Sequence, residues 1–367
     1  MPVRVLSKYS SPCVALAALP DKRLTVRVNA AAHTFVVQAD LTRLACDVVL
    51  VPTDVLLNVT PHWKSLGQPR KPPGWNNLGV RVTSATCDPS HGQSRFVQWV
   101  NTGSHPSLAD VEWLIEGVRQ ALDAAGDTVH DKPILNARVR PLVGLPLFGT
   151  GAGGYDAVRG EVLDAILTEC EAAAGRHGYD VVIACWHRSD YAAFQARRLG
   201  CGTDSPALPD RLMTEARRLG DLARTGQLAL FLGAGISQPA GLPSWAELIQ
   251  RLAEDSPSYA NRSEELQQIP AIDAARLLEK DLGKQFRVSL RRELSRPLHA
   301  VGHALLASLR TAEAITTNFD ALYEQACAAT FDDRPRKLPW QKAEPGQAWL
   351  LKMHGERRPR APGDQPG

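Results

Sequence analysis

Long apolar runs are missing from this chain. The longest, such as Leu228–Leu232, fall far short of the length that spans a bilayer. Arg4 and Lys8 precede a short apolar run, Val14–Leu19, but Asp21, Lys22 and Arg23 follow at once, which makes a poor secretory leader. Cysteine pairs are missing too. The seven cysteines, Cys13, Cys46, Cys87, Cys170, Cys185, Cys201 and Cys327, form no C-x-x-C pair. An odd, scattered set suggests neither a disulfide framework nor a thiolate zinc site. An excess of one charge is also lacking: 42 Lys and Arg stand against 39 Asp and Glu, a formal net charge of +3. That balance gives no support for a nucleic-acid scaffold. The expected setting is a reducing cytoplasm, with no membrane, nucleic-acid or metal partner. A homo-oligomer stays open.

What is present is enough apolar material for two cores: 367 residues, 44% hydrophobic and 22% charged, which fits a soluble chain of two domains. The first 200 residues alternate strand-like and helix-like pieces. Leu24–Val28 and Thr34–Val37 are short β-branched runs, and Val48–Val51 is a continuous apolar run suited to a buried central strand. Pro61–Gly79 holds three prolines after Pro61 and two tryptophans, and reads as a loop or insert. Arg95–Val100 predicts a strand. Val111–Ala125 predicts a helix that Asp110 or Ser107 could cap. Arg138–Leu147 predicts a strand running into the glycine-rich turn Gly149–Gly154, then a helix over Val158–Ala173, a buried strand over Val181–Trp186 and a closing helix over Asp190–Leu199. Strand, glycine loop, helix, strand is the grammar of a three-layer α/β domain.

Gly200–Pro209 reads as a linker. Beyond it come an amphipathic helix over Arg211–Thr225 and a strand over Gln227–Leu232. Helices follow over Trp245–Ala253, Ile272–Leu278, Gly283–Leu294 and Leu298–Leu309. Short strands are predicted at Ala314–Thr317 and Ala348–Lys352. The expected domains are 1–203 and 210–355, with a tail over 356–367 that is rich in Arg, Pro and Gly and lacks any apolar pattern.

Three segments of the second half each follow a predicted strand, where an open parallel sheet forms its ligand crevice. The first is Gly233-Ala234-Gly235-Ile236-Ser237, continued by Gly241-Leu242-Pro243-Ser244-Trp245. Glycines there let a backbone approach a diphosphate closely; a bare strand-to-helix turn is the alternative. The second is Thr316-Thr317-Asn318-Phe319-Asp320. It offers an amide suited to ribose hydroxyls and a carboxylate suited to an amide NH₂, or simply a cap for the helix that follows. The third is Lys352-Met353-His354-Gly355, where a neutral imidazole at a strand end could serve as a general base, or be a capping histidine.

In order and content, these segments resemble the sirtuin family, and more closely the sirtuin-like domains of bacterial defence proteins. The resemblance runs from about Leu212 to Gly355. It implies a Rossmann-like domain that binds NAD⁺, with Gly233, Ala234, Gly235, Ser237, Gly241, Pro243 and Thr317 holding the dinucleotide. It also implies Asn318, Asp320 and His354 as the catalytic set. Two departures matter. The paired cysteines of protein-deacylating sirtuins are absent, so no zinc is expected and hydrolysis of NAD⁺ is favoured over deacylation or ADP-ribosyl transfer. The family also continues past the HG pair with further elements, whereas only twelve residues follow Gly355, so the domain reads as truncated, and a non-catalytic nucleotide-binding regulator remains an alternative.

The first half resembles macro domains, which recognise ADP-ribose. The carriers are Gln38-Ala39-Asp40-Leu41-Thr42, then Cys46–Asp54, and the run Leu145–Gly154. The resemblance implies that Asp40 contacts an adenine amine and that Gly149, Thr150, Gly151, Gly153 and Gly154 wrap phosphates. Pro52, Thr53 and Asp54 replace the family's asparagines, which favours binding without hydrolysis.

Overall fold

Backbone alternation and helix caps build two largely parallel sheets. The computed structural model describes residues 31–75, 79–87, 95–103, 110–130, 138–150, 154–200, 209–331 and 334–353. In the first half the elements are β1 (Thr34–Gln38), β2 (Val48–Thr53), β3 (Thr86–Cys87), β4 (Phe96–Asn101), α1 (Val111–His130), β5 (Leu142–Pro146), α2 (Arg159–His177), β6 (Asp180–Cys185) and α3 (Arg188–Gly200). The sheet order is β1-β6-β5-β2-β4-β3. All pairings are parallel except β3 with β4. Val48 to Val51 are wholly buried, as a central parallel strand covered on both faces requires. Asp110 caps α1, accepting from the backbone N–H groups of Glu112 and Trp113. Gly178, at φ 69°, closes α2 in the left-handed conformation.

The second half adds α4 (Asp210–Arg224), β7 (Ala229–Leu232), α5 (Trp245–Glu254), α6 (Ser263–Gln267), α7 (Ala271–Leu282), α8 (Lys284–Leu294), α9 (Val301–Ser308), β8 (Glu313–Thr316), α10 (Leu322–Phe331), β9 (Arg336–Leu338) and β10 (Trp349–Lys352). The four strands are parallel in the order β7-β8-β10-β9. Ser244 and Glu247 form a reciprocal capping box at the start of α5. The molecule is therefore mixed α/β with two parallel-dominated sheets.

Several predicted boundaries move, for identifiable reasons. The strand expected over Arg138–Leu147 starts only at Leu142, because Arg138 pairs with Asp47 at 2.5 Å and Arg140 donates to the Gly178 carbonyl. The helix expected from Leu298 starts at Val301, because His299 forms a parallel bridge with Leu44. Within Pro61–Gly79, Pro61–Leu66 forms a 3-10 helix opened by a proline at its first turn. The strand expected at Leu24–Val28, and Ser107 as a helix cap, lie outside the described residues.

One face of the first sheet carries α1 and α2. On the other face, Val301 and Ala304 of α9 join Val37, Val49, Val97, Trp99 and Val182 in one apolar cluster, with Leu305 packed against it. A helix from the second half thus forms part of the third layer of the first. The weld is polar as well: the Ala45 N–H donates to the His299 carbonyl at 2.9 Å, and Thr330 Oγ1 donates to the Gln38 carbonyl at 3.1 Å.

Candidate functional site

A cleft of about 1100 Å³ opens at the carboxyl ends of the first sheet's parallel strands, where open α/β sheets bind ligands. Thr53, Asp54, Gly103, Gly149, Thr150 and Arg159 are among the residues that line it. Gly149 sits at φ +79°, and a Cβ there would lie 2.8 Å from Tyr155 Cδ2 and 2.9 Å from Leu114 Cδ2. Both conformation and packing demand glycine at this turn. Gly154, at φ 84°, completes its described part; Gly151 and Gly153 lie outside the described residues.

Arg159, at the start of α2, donates to Asp190 Oδ1 from Nε at 2.9 Å, to Asp156 Oδ1 at 2.9 Å and to the Thr150 carbonyl at 3.3 Å. It braces the glycine turn beside a helix N-terminus, the place that suits an anion. Asp54 is engaged locally: its carboxylate accepts from the N–H groups of Leu56 and Asn58 and from Asn58 Nδ2. Those bonds make it a turn-former rather than a free base. Asp40 is also engaged. It accepts from the Thr42 N–H at 2.9 Å and the Thr42 hydroxyl at 2.7 Å, and faces His62 Nε2 at 3.3 Å. Burial pushes its carboxyl up, yet the hydrogen bonds from His62 and Thr42 hold it below the ordinary range. His62, not Asp40, lines the cleft, together with Trp63 and Trp186. Sequence reading passed over Arg159, His62 and Trp63. The signals for the first two were Asp156–Arg159 at helical spacing and a histidine inside a proline-bounded insert.

In the second half, the glycine turn after β7 and the segment after β8 do meet. Asn318 Nδ2 donates to the Gly233 carbonyl at 3.0 Å and to Ser237 Oγ at 3.2 Å. Ser237 Oγ donates to Asp320 Oδ2 at 2.9 Å, and Asp320 Oδ1 accepts from the Leu322 N–H at 3.0 Å, so the capping role of Asp320 is also realised. The Thr317 N–H donates to the Leu232 carbonyl at 3.1 Å, tying the ends of β7 and β8. Ala234, Pro243 and Thr317 line a cavity of only about 40 Å³ beside this network. That is room for about one water, where small-molecule pockets run to several hundred Å³. Gly241 holds a left-handed turn at φ 87°. At Gly233 and Gly235, an added Cβ would meet nothing within 4 Å among the described residues, and Gly233 is extended at φ −110°. Neither packing nor conformation accounts for these two glycines, and the space over them is open to a ligand. His354 lies outside the described residues. β10, which precedes it in the sequence, neighbours β8, and the Met353 N–H donates to the Thr316 carbonyl at 2.9 Å.

His303, which the sequence did not single out, completes this network. Its Nδ1 accepts from the Ala300 N–H at 3.2 Å, so Nε2 carries the hydrogen and donates to Ser237 Oγ at 3.3 Å. Ser237 therefore accepts twice and donates once, with no capacity left over. Burial lowers His303 to about 4 and the neighbouring His299 to about 3. Both values lie below the unfolded one, so the unfolded chain binds more protons between them. Stability is full above pH ~6.5 and falls as pH drops through the window toward 4 and 3, by up to roughly 1.4 kcal/mol per pH unit for each ring. The thermal midpoint should fall between pH 7 and pH 5, less steeply in His303→Gln. A flat profile over that range would contradict neutral buried imidazoles.

Among the described residues no cluster of His, Cys, Asp or Glu could hold a metal, and no helix is long and apolar enough to cross a membrane.

No family model matches the sequence. No curated protein matches it either. Among solved structures, the N-terminal part is similar to macrodomains. A mutant macrodomain of Oceanobacillus iheyensis with ADPR is 18% identical, covers 45% of this chain and 91% of its own, and has a TM-score of 0.35. The macrodomain of that organism with ADP gives 18%, 45%, 90% and 0.34. A Trypanosoma brucei macrodomain in complex with ADP-ribose gives 16%, 45%, 68% and 0.33.

Proposed function

We propose that this chain binds an ADP-ribose-type nucleotide in the N-terminal cleft and acts on NAD⁺ at the Ser237–Asn318–Asp320 cluster, releasing nicotinamide and ADP-ribose. The observation that carries the reading is the cleft of about 1100 Å³, opening at the strand ends beside the Gly149 turn and the start of α2. Its volume suits a dinucleotide-sized ligand. Backbone amides at a glycine turn and a helix N-terminus suit a diphosphate. The division into a nucleotide sensor over 1–203 and a sirtuin-like module over 210–355 belongs to this proposal, as does a role in bacterial defence, which the sirtuin-like resemblance implies.

At the second site, NAD⁺ would lie over Gly233 and Gly235, where a side chain would obstruct it. Asn318 spends both amide hydrogens on Gly233 and Ser237, which leaves its Oδ1 to accept from a ribose hydroxyl or an attacking water. Water would attack the anomeric carbon, forming a C–O bond as the C–N bond to nicotinamide breaks. The water's proton would pass to a base, His354 by the resemblance. The protein's contribution is position and charge, as in other displacements of a bound substrate.

A second reading, a nucleotide-binding regulator whose C-terminal module does not turn over, has its own support: the 40 Å³ cavity and a Ser237 hydroxyl already saturated by His303, Asn318 and Asp320. Calorimetry with ADP-ribose and NAD⁺, run beside a nicotinamide-release assay on the full chain, separates the two. Binding of ADP-ribose with nicotinamide release supports the first, and binding without release the second. No heat with ADP-ribose up to millimolar concentration would overturn both.

A further inference from the structure

The cleft and the Ser237 network share a wall. Ala39 and Leu41 line the cleft, and the chain runs on from them through the 3-10 turn Leu41–Arg43 to Ala45. That stretch is clamped along its length. Arg95 donates to the Leu41 and Thr42 carbonyls, each at 3.2 Å. Arg138 donates to the Ala45 carbonyl at 2.6 Å and reaches the Pro239 carbonyl, in the turn after Ser237, at 3.4 Å. The His299 N–H donates to the Arg43 carbonyl and the Ala45 N–H to the His299 carbonyl, both at 2.9 Å. Ala45 also packs in one apolar cluster with Ala240, Leu242, Ala300 and Leu322, which neighbour Ser237, His303 and Asp320 in sequence.

From His299 the connection continues without a gap. The Ala300 N–H donates to His303 Nδ1, and His303 Nε2 donates to Ser237 Oγ. The place of one backbone N–H therefore decides which way this bond runs. With that N–H withdrawn, the imidazole hydrogen could sit on Nδ1, and the Ser237 hydrogen would turn from Asp320 to Nε2. One hydroxyl hydrogen with two acceptors is a two-state element. The seam itself is not fully satisfied: His299 is wholly buried, and neither of its ring nitrogens has a partner among the described residues. A buried polar group left unpaired marks a packing that a small shift of either strand of the bridge can improve.

We propose that residues 39–45 and 299–303 form a coupling strap, through which a nucleotide in the cleft sets the hydrogen-bond state of Ser237. This rests on the nucleotide-binding reading of the cleft and names a regulation of the second site. Occupancy fixes Ala39 and Leu41, the backbone clamp carries that constraint to His299 and Ala300, and His303 is held as the donor to Ser237. ADP-ribose, the product that the second site would release, thus acts back on that site. Linkage makes the effect reciprocal in binding: a change at Ser237 alters affinity in the cleft by the same factor.

Amide hydrogen exchange on the full chain, with and without saturating ADP-ribose, reads the coupling, and calorimetry on the same samples reads binding itself. In wild type, ADP-ribose should slow exchange about threefold or more at the cleft, and also over residues 237–242 and α9, which do not line it. Ala300→Pro removes the one N–H; Ala300 lies at φ −74° just ahead of α9, a conformation that proline adopts. His303→Leu breaks the same link without a new backbone constraint, should the proline disturb the fold. In both variants ADP-ribose should still bind and protect the cleft, while protection of residues 237–242 is lost. Protection confined to the cleft in wild type, or protection of residues 237–242 that persists in either folded variant, would overturn the coupling and leave the cleft as a nucleotide site. A failure of wild type to bind ADP-ribose would overturn the nucleotide reading as well.

Discussion

Replacing Asn318 with alanine is expected to lower nicotinamide release from NAD⁺ at least about 100-fold, the loss typical of a positioned catalytic group. The side chain joins two segments that are far apart in sequence, holding the Gly233 carbonyl and Ser237 Oγ with one amide nitrogen. Alanine removes both tethers and the free Oδ1. The bonds broken are partly exposed, so the fold should persist, with a stability change near that of ordinary hydrogen bonds, about 1 kcal/mol each. Initial rates at saturating NAD⁺, with the thermal midpoint measured alongside, test this directly. His354→Ala, the corresponding expectation from sequence, should show a similar loss. Turnover at the wild-type rate in both variants would remove the catalytic assignment.

The largest stability effect is expected at Lys352. Its Nζ meets Glu324 Oε1 at 3.0 Å, with the lysine side chain wholly buried and the glutamate 6% exposed. It also donates to the Asp320 carbonyl. Burial pushes the Glu324 carboxyl up, and the lysine draws it back. Removing one partner of such a pair leaves an uncompensated buried charge, at a cost of roughly 3–5 kcal/mol. Lys352→Met should lose that much in denaturant titration. Lys352→Met with Glu324→Gln should recover most of it, because no charge is then stranded. A single variant within about 1 kcal/mol of wild type would show that the pair carries no such penalty. The contact also ties the strand leading to the HG segment to the backbone of Asp320, so the single variant should disturb the Ser237–Asn318 network as well.

Element type was legible wherever a periodic pattern ran long enough. Val48–Val51 and Val111 onward each declare themselves through local chemistry. Boundaries were less legible, because side chains that look like strand or helix extensions were recruited elsewhere: Arg138 to Asp47, and His299 to a bridge with Leu44. β9 was passed over because three residues, Arg336–Leu338, carry no alternation to detect. The site followed the same division. Ser237, Asn318 and Asp320 stood out because glycine turns and polar residues after strands are local signals. His303 did not, because a histidine inside an apolar helix has no local signature.

The order of strands, turns and caps was set by the chain's own pattern of apolar residues, glycines and short polar side chains, since those preferences act within a few positions of one another. Tertiary packing alone decided that α9 would cover the first sheet, that Asp40 would be spent on Thr42 and His62, and that Ser237 would be saturated by His303, Asn318 and Asp320. Each of those outcomes depends on which distant group arrives first at a limited number of lone pairs or an uncovered apolar face, and no local sequence pattern encodes that.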